Sequence, residues 1–375
     1  LTIARKLELH DFRPTGFDYM RLVLACLVVV THAPTIARGE QAGVDFFNSA
    51  LAAPLKFVLP AFFALSGFLV AGSMERCKSL AMFLMLRGIR IYPALVCEVL
   101  LSAFLVGPLV TSLPWKAYFF DPQFFRYLVN VTGHISYRLP GVFATAPKPD
   151  VVNGQLWTVP WELICYLCLS VLILLGLGHR RRLILWAIGA MILVAATTNS
   201  IEHGGFTVLV GHVWGLDLLV YFSAGVAFHL YRGELPWSWE LFGMCVLAAC
   251  ILMFFVPGGQ YLALFPTVYA TVFLGTCSPR MVLPSGLADC SYGVYLYGYV
   301  IQQLVADQWA WSRTSALNVA LALPLSIGAG LLSWHLFEKP VMRLLRPRLK
   351  AFEEKWPRRR RDRRNTVAGA HLGSD

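Results

Sequence analysis

Ten apolar stretches, each close to the length that crosses a bilayer, dominate this chain of 375 residues. They run over 17–37, 54–73, 89–112, 156–177, 183–199, 212–231, 240–256, 260–276, 290–309 and 316–337. About 20 apolar residues span the hydrocarbon as a helix, because backbone polar groups there must be satisfied within the segment itself. Hydrophobic residues make up 57% of the chain and charged ones only 14%, against about 25% charged in a soluble domain. The pattern predicts an all-α integral membrane protein with about ten transmembrane helices, and an even number puts both termini on one side. It excludes a soluble enzyme, a secreted disulfide scaffold, a coiled coil and a disordered chain.

Positive charge gives the expected orientation, since short cytoplasmic loops are enriched in Lys and Arg. With both termini cytoplasmic, the inner side holds Arg5, Lys6 and Arg13, then Arg76, Lys78, Arg87 and Arg90, then Arg180 to Arg182, Arg232, Arg280 and the basic tail. Outside lie only Arg38, Lys56, Lys116, Arg126, Arg138, Lys148 and Arg313. Residues 339–375 carry 12 Lys/Arg against 4 Asp/Glu, which is +8 of the formal +11. Net charge is therefore a property of the tail, read as a lipid-attracted topology signal and not as a nucleic-acid arm. The first apolar stretch is too long for a signal peptide and contains Arg21 and His32, so it is expected to remain as a helix.

The expected organisation is a cytoplasmic segment 1–16, a membrane domain 17–340 and a disordered basic tail 341–375. Between the third and fourth spans lies an exterior loop, 113–155, rich in aromatic residues from Trp115 to Phe143. A loop that long is usually functional or disordered, and this one is read as a partly ordered lid or substrate platform. None of the nine cysteines is placed for an exterior disulfide.

Ionisable groups inside spans are costly and mark function by default. Here they are Asp18, Arg21, His32, Glu98, Glu162, His212, Asp217, His229, His335 and Glu338. Arg21 and His32 are eleven residues apart. At 100° and 1.5 Å per residue they share one helical face and lie roughly 16 Å apart along it. His212, Asp217 and His229 make no compact ligand set, so no metal is assigned. Ser66 beside Gly67 is read as a helix-packing pair, and Pro340 is expected to stop the last span.

Several segments in order resemble the polytopic membrane acyltransferases called acyltransferase family 3. They are Gly16-Phe17-Asp18-Tyr19-Met20-Arg21 with His32 following, the Phe62-to-Leu69 run, Arg87-Gly88-Ile89-Arg90-Ile91-Tyr92-Pro93, Asn153 to Glu162, Ser291 to Leu296, and Phe337-Glu338-Lys339-Pro340. The resemblance implies transfer of an acyl group, usually acetyl, from cytoplasmic acyl-CoA to a hydroxyl of a cell-surface or exported glycan. It also implies a multi-pass protein of the bacterial cytoplasmic (inner) membrane in which Arg21 and His32 are essential. Many members have a His soon after the Ser-Tyr…Tyr-Leu segment; this chain has Tyr297-Gly298-Tyr299 there. Some members carry an extra esterase-like domain, a step here expected to fall to another protein.

The residues themselves fit this chemistry. Transfer to a hydroxyl needs a base, and neutral imidazole suits that role. His32 is the candidate, either by direct attack of the acceptor oxygen on the thioester or through an acyl-imidazole. Glu162, expected at the depth of His32, fits as the carboxylate that orients the imidazole, as a ligand for sugar hydroxyls beside Trp157 and Trp161, or as a structural partner of an arginine. Asp45 is a further candidate near the acceptor. Arg87 and Arg90, three residues apart on one helical face, are expected with Arg21 to receive the phosphates of acetyl-CoA. A secondary transporter or flippase for a sugar-containing substrate is the alternative, since many spans and buried charges also describe those.

Overall fold

The computed structural model describes residues 1–178, 180–203, 205, 213–279, 284 and 286–355. Each of the ten apolar stretches overlaps a helix: α1 Gly16–Arg38, α2 Val58–Glu75, α3 Leu80–Leu101, α4 Thr158–Leu174, α5 Leu183–His203, α6 Gly215–Leu230, α7 Trp239–Phe255, α8 Leu264–Thr276, α9 Ser291–Gln308 and α10 Ser315–Ser333. Among the described residues, six helical runs are long and apolar enough to cross a membrane. They are Gly16–Arg38, Ala50–Glu75, Leu80–Val110, Gly154–Leu174, Leu183–Glu202 and Ser315–Leu349. Helices α6, α7 and α8 are apolar but shorter. His212 lies outside the described residues, as do Arg280 and the tail beyond Lys355.

Helix starts follow capping chemistry. Ser79 accepts a hydrogen bond from the Met82 N–H at 3.1 Å, so α3 begins nine residues before the apolar stretch that predicts it. This places Arg87 and Arg90 within the helix. Polar side chains then join α1, α9 and α10: Gln302 donates to the Val29 carbonyl at 2.9 Å and to Asn318 Oδ1 at 3.0 Å, and Asn318 donates back to the Gln302 carbonyl at 3.1 Å. All three groups are buried, where a missed partner would be costly.

Helices α2 and α6 touch backbone to backbone. A Cβ on Gly67 would sit 2.0 Å from the Phe222 carbonyl oxygen, and one on Gly225 would sit 2.1 Å from that of Ala64. Gly225→Val is therefore expected to cost about 3 kcal/mol, the upper end for overpacking against atoms that cannot yield. Thermal unfolding in detergent measures it, with Gly189→Val as control because Gly189 faces open space. Equal melting of the two variants would contradict this contact.

The tail departs from expectation. After α10 the chain makes one π-turn, Trp334–Glu338, and continues as a helix, α11, Lys339–Lys355. The Lys339 N–H bonds the Trp334 carbonyl, five residues back. Pro340 therefore enters at the second position of a new helical segment, where its missing N–H costs little. Residues 341–355, expected to be disordered, are helical, with Val341, Leu344, Leu345 and Leu349 alternating with Arg343, Arg346 and Arg348.

The loop after α3 is folded. It contains helices Trp115–Phe120 and Pro122–Leu128, and it buries Tyr118, Phe124, Tyr127, Leu139 and Phe143. Tyr118 donates to the Ala103 carbonyl at 2.7 Å, which ties the loop to the end of the preceding helical run. Before α4, Asn153 donates to Glu98 Oε1 at 2.6 Å and to the Leu296 carbonyl at 3.0 Å, and Gln155 donates to the carbonyls of Tyr295 and Leu296. These two amides clasp the loop onto the backbone of α9.

Candidate active site

Two cavities follow one another along helices α1, α2 and α9. The first, about 540 Å³, is lined by Val28, Thr31, His32 and Thr35 of α1, with Trp157, Tyr295 and Tyr299 opposite. The second, about 110 Å³, is lined by Arg21, Arg87, Arg90 and Glu162, together with Phe62, Ser66 and Tyr292. The eleven-residue spacing thus delivers what helix geometry predicts, Arg21 in one cavity and His32 in the other, on the same helix.

His32 sits edge-on to Tyr299, with ring centroids 5.2 Å apart. Pro34, two residues further on, lacks the N–H that would bond the Val30 carbonyl, so the helix is open within a turn of the imidazole. The chain then folds back as the short helix Glu40–Asn48, whose Val44, Phe47 and Asn48 close one wall. The loop supplies the other side through Tyr137, Lys148 and Val151. Glu40 and Lys148 form an ion pair across the rim. Gln303 holds the loop there by donating to the carbonyls of Lys148 and Val151 at 2.8 and 2.7 Å.

In the second cavity, Arg21 donates to Asp18 at 2.7 Å and Arg87 to Ser73 Oγ at 3.1 Å. Arg90 stacks over the Trp334 ring at 5.6 Å. Among the described residues, the buried Nε groups of Arg21 and Arg87 have no hydrogen-bond partner, so both keep a donor for an anion. Three guanidiniums face one lining carboxylate, Glu162, which accepts from the Tyr166 hydroxyl at 2.5 Å. Such a cavity favours phosphate or another oxyanion.

Between the cavities stand Phe62 and Tyr295, with ring centroids 5.9 Å apart. The Tyr295 hydroxyl is hydrogen-bonded to Thr158 at 2.5 Å and donates to the Gln155 carbonyl at 3.1 Å.

Glu162 is thus in the arginine cavity, where the sequence reading expected it at the depth of His32. Five residues separate it from Trp157, roughly 7.5 Å of rise and about 140° of rotation, enough to carry it from one cavity to the other. There it lines the same cavity as the three arginines and its hydrogen-bond partner is Tyr166. Trp157 lines the His32 cavity, but the Trp161 indole packs against Gly215. Asp45 is exposed and accepts from Gln41 at 2.9 Å, turned from the wall that its neighbours Val44 and Asn48 build. Ser66 lines the arginine cavity, and Gly67 alone makes the close helix contact.

Other buried ionisable groups have structural partners elsewhere. Glu98 accepts from Ser102 at 2.8 Å as well as from Asn153, and Glu338 accepts from Ser333 at 3.1 Å. Asp217 caps the start of α6. His229 and Arg232 both meet Glu75 at 3.0 Å at the far end of that helix. Tyr299 belongs to the Tyr297-Gly298-Tyr299 segment already noted, whereas Tyr295, Tyr166 and the Glu40–Lys148 pair are site groups to which the sequence reading gave no role. Only Tyr166, one helical turn after Glu162, carried a local signal.

A family model described as an acyltransferase domain matches residues 15–336. The chain is 26% identical over 353 residues to a protein of Shigella phage Sf6 named O-acetyl transferase, covering 89% of this chain and 97% of the relative. It is also 26% identical over 371 residues to nodulation protein 10 of Rhizobium leguminosarum bv. viciae, covering 88% of this chain and 93% of that one. No solved structure matches the chain.

Proposed function

The chain belongs to the acyltransferase family whose model covers residues 15–336, and on that premise we propose that it moves an acetyl group from acetyl-CoA to a hydroxyl of a cell-surface or exported glycan. It is a multi-pass membrane acyltransferase; the donor, the acceptor and the residue roles that follow are our reading. In that reading all ten helices cross the cytoplasmic membrane of a bacterium and both termini are cytoplasmic. The observation that carries it is the placing of the arginine cavity and the His32 cavity along the same three helices, α1, α2 and α9.

Arg21, Arg87 and Arg90 receive phosphate oxygens of the donor, which the partnerless buried Nε groups of Arg21 and Arg87 suit. A cavity of 110 Å³ is too small for a whole nucleotide, so it holds one anionic group, and the touching Phe62 and Tyr295 rings part to admit the narrow thioester arm. The acceptor sugar lies in the larger cavity, with Trp157, Tyr137 and Tyr299 offering ring faces and Thr31, Thr35 and Asn48 offering polar partners.

His32 then takes the proton from the acceptor hydroxyl as its oxygen attacks the thioester carbonyl. A carbon–oxygen bond forms, the carbon–sulfur bond breaks, and the proton held by the imidazole leaves with the thiolate as free thiol. The edge-on Tyr299 ring fixes the imidazole from one side. Direct transfer fits a cavity large enough to hold the acceptor beside His32.

The test is purified protein in nanodiscs with acetyl-CoA and candidate glycans, following thiol release and acetyl incorporation together. Thiol release that rises with acceptor supports the reading. Absence of binding and turnover with acetyl-CoA and other short acyl thioesters, alongside counter-flow of a sugar substrate in vesicles, would establish the transporter alternative instead.

A further inference from the structure

A second hollow lies beside the His32 cavity. It has a volume of about 500 Å³ and is lined by Gln123, Arg126, His134, Tyr137 and Arg138 with the 135–136 backbone turn. Tyr137 is also a wall of the His32 cavity, so the two spaces meet at that residue.

The hollow is built on fixed parts. Asp121 caps the helix Pro122–Leu128 by accepting from the Gln123 N–H at 2.7 Å, and Phe124 and Tyr127 anchor it in the core. Asn130, itself fully buried, donates to the Ser136 carbonyl at 2.8 Å and accepts from the Ser136 N–H at 2.6 Å. Between them Gly133 turns the chain at φ 88°, a conformation glycine adopts without a Cβ penalty. Arg126 and Arg138 are thereby presented from the two sides of a pinned turn.

Among the described residues, neither guanidinium is in an ion pair, and no carboxylate lines the hollow. The contrast with the rim of the His32 cavity is direct, since Lys148 there is already paired with Glu40. Two planar cations on a preformed frame, with His134 and Gln123 as further polar groups, match a carboxylate or phosphate.

We propose that this hollow is an anion subsite, holding a carboxylate or phosphate of the acceptor while the hydroxyl to be acylated lies at His32. The acceptor class is thereby narrowed to anionic glycans, as acidic sugars or phosphate-bearing intermediates. The inference rests on the acceptor reading above, but binding without an acyl donor tests it separately.

The experiment is calorimetric titration of the full chain in phosphatidylcholine nanodiscs. The probes are a glucuronate oligosaccharide, its carboxyl-reduced counterpart and a sugar 1-phosphate. One anionic probe is expected to bind about tenfold more tightly than the neutral one. Arg126→Gln with Arg138→Gln should erase that preference, and added salt should weaken it. Preference for the carboxylate or for the phosphate identifies which acceptor chemistry is used.

The proposal fails if no anionic probe binds better than the neutral one or if the double variant keeps the preference. It fails equally if the arginines affect only binding of phosphatidylglycerol added to the nanodisc, which would make the hollow a lipid headgroup contact. Thiol release by wild-type protein is read in parallel, so absence of an anion preference in wild type with turnover intact strikes the subsite alone, and the converse result strikes the transfer reading.

Discussion

Replacing His32 by alanine is expected to lower acyl transfer by roughly 10²–10⁴-fold, the contribution of a positioned general base. The size of the loss follows from chemistry: an acceptor hydroxyl is a poor nucleophile at neutral pH, and His32 is the imidazole lining the cavity proposed for the acceptor. The protein should still insert and elute as wild type, because the imidazole makes one ring-edge contact with Tyr299 while the buried Gln302–Val29 hydrogen bond also joins those two helices. Donor affinity should be unchanged, since the arginines line the other cavity. Thiol release with acceptor present, donor titration and size-exclusion chromatography separate these three outcomes. Wild-type turnover in His32→Ala would sink the assignment.

Arg87→Ala combined with Arg90→Ala is expected to have its main effect on donor binding. Each charge-assisted hydrogen bond lost is worth about 1.5–3 kcal/mol, so two lost together weaken acetyl-CoA by roughly 10²–10⁴-fold. Both side chains also have protein partners, Ser73 for Arg87 and Trp334 for Arg90, so some loss of thermal stability accompanies the change. Acetyl-pantetheine, which carries the thioester without the nucleotide phosphates, distinguishes the two effects. It should bind wild type and variant alike if the arginines read phosphate. A variant that weakens both donors equally would show that the pair only holds α3 in place.

The helices were legible because hydropathy reports burial in lipid or protein whatever the tertiary contacts. Their ends were less so: Arg87 and Arg90 lower the hydropathy at the start of α3, yet Ser79 begins the helix well before them. Pro340 misled for a similar reason, since one π-turn gives it a harmless position that no hydropathy scale registers. The Arg21–His32 relation was legible because it lies within one helix and needs only the helical period. Glu162 was not, because its depth depends on where α4 begins. Trp157 closes a 3₁₀ turn, Gly154–Trp157, before the α-helix starts at Thr158. Trp157 lines the His32 cavity while the Trp161 indole packs against Gly215, a division that neighbouring helices set and local spacing does not. Tyr299 came to His32 through packing of the first helix on the ninth, a contact across more than 260 residues of chain that no local pattern encodes.

The ring pair of Phe62 and Tyr295 gives the two cavities a consequence for energy coupling. On the proposed reading, an activated group made by metabolism on one side of the membrane is spent on the other, while coenzyme and glycan each stay in their own compartment. Export is achieved by a bond exchange across two aromatic side chains, with no ion gradient and no cycle of inward-facing and outward-facing states. The driving force is the thioester itself, and all that passes through the protein is a group of two carbons.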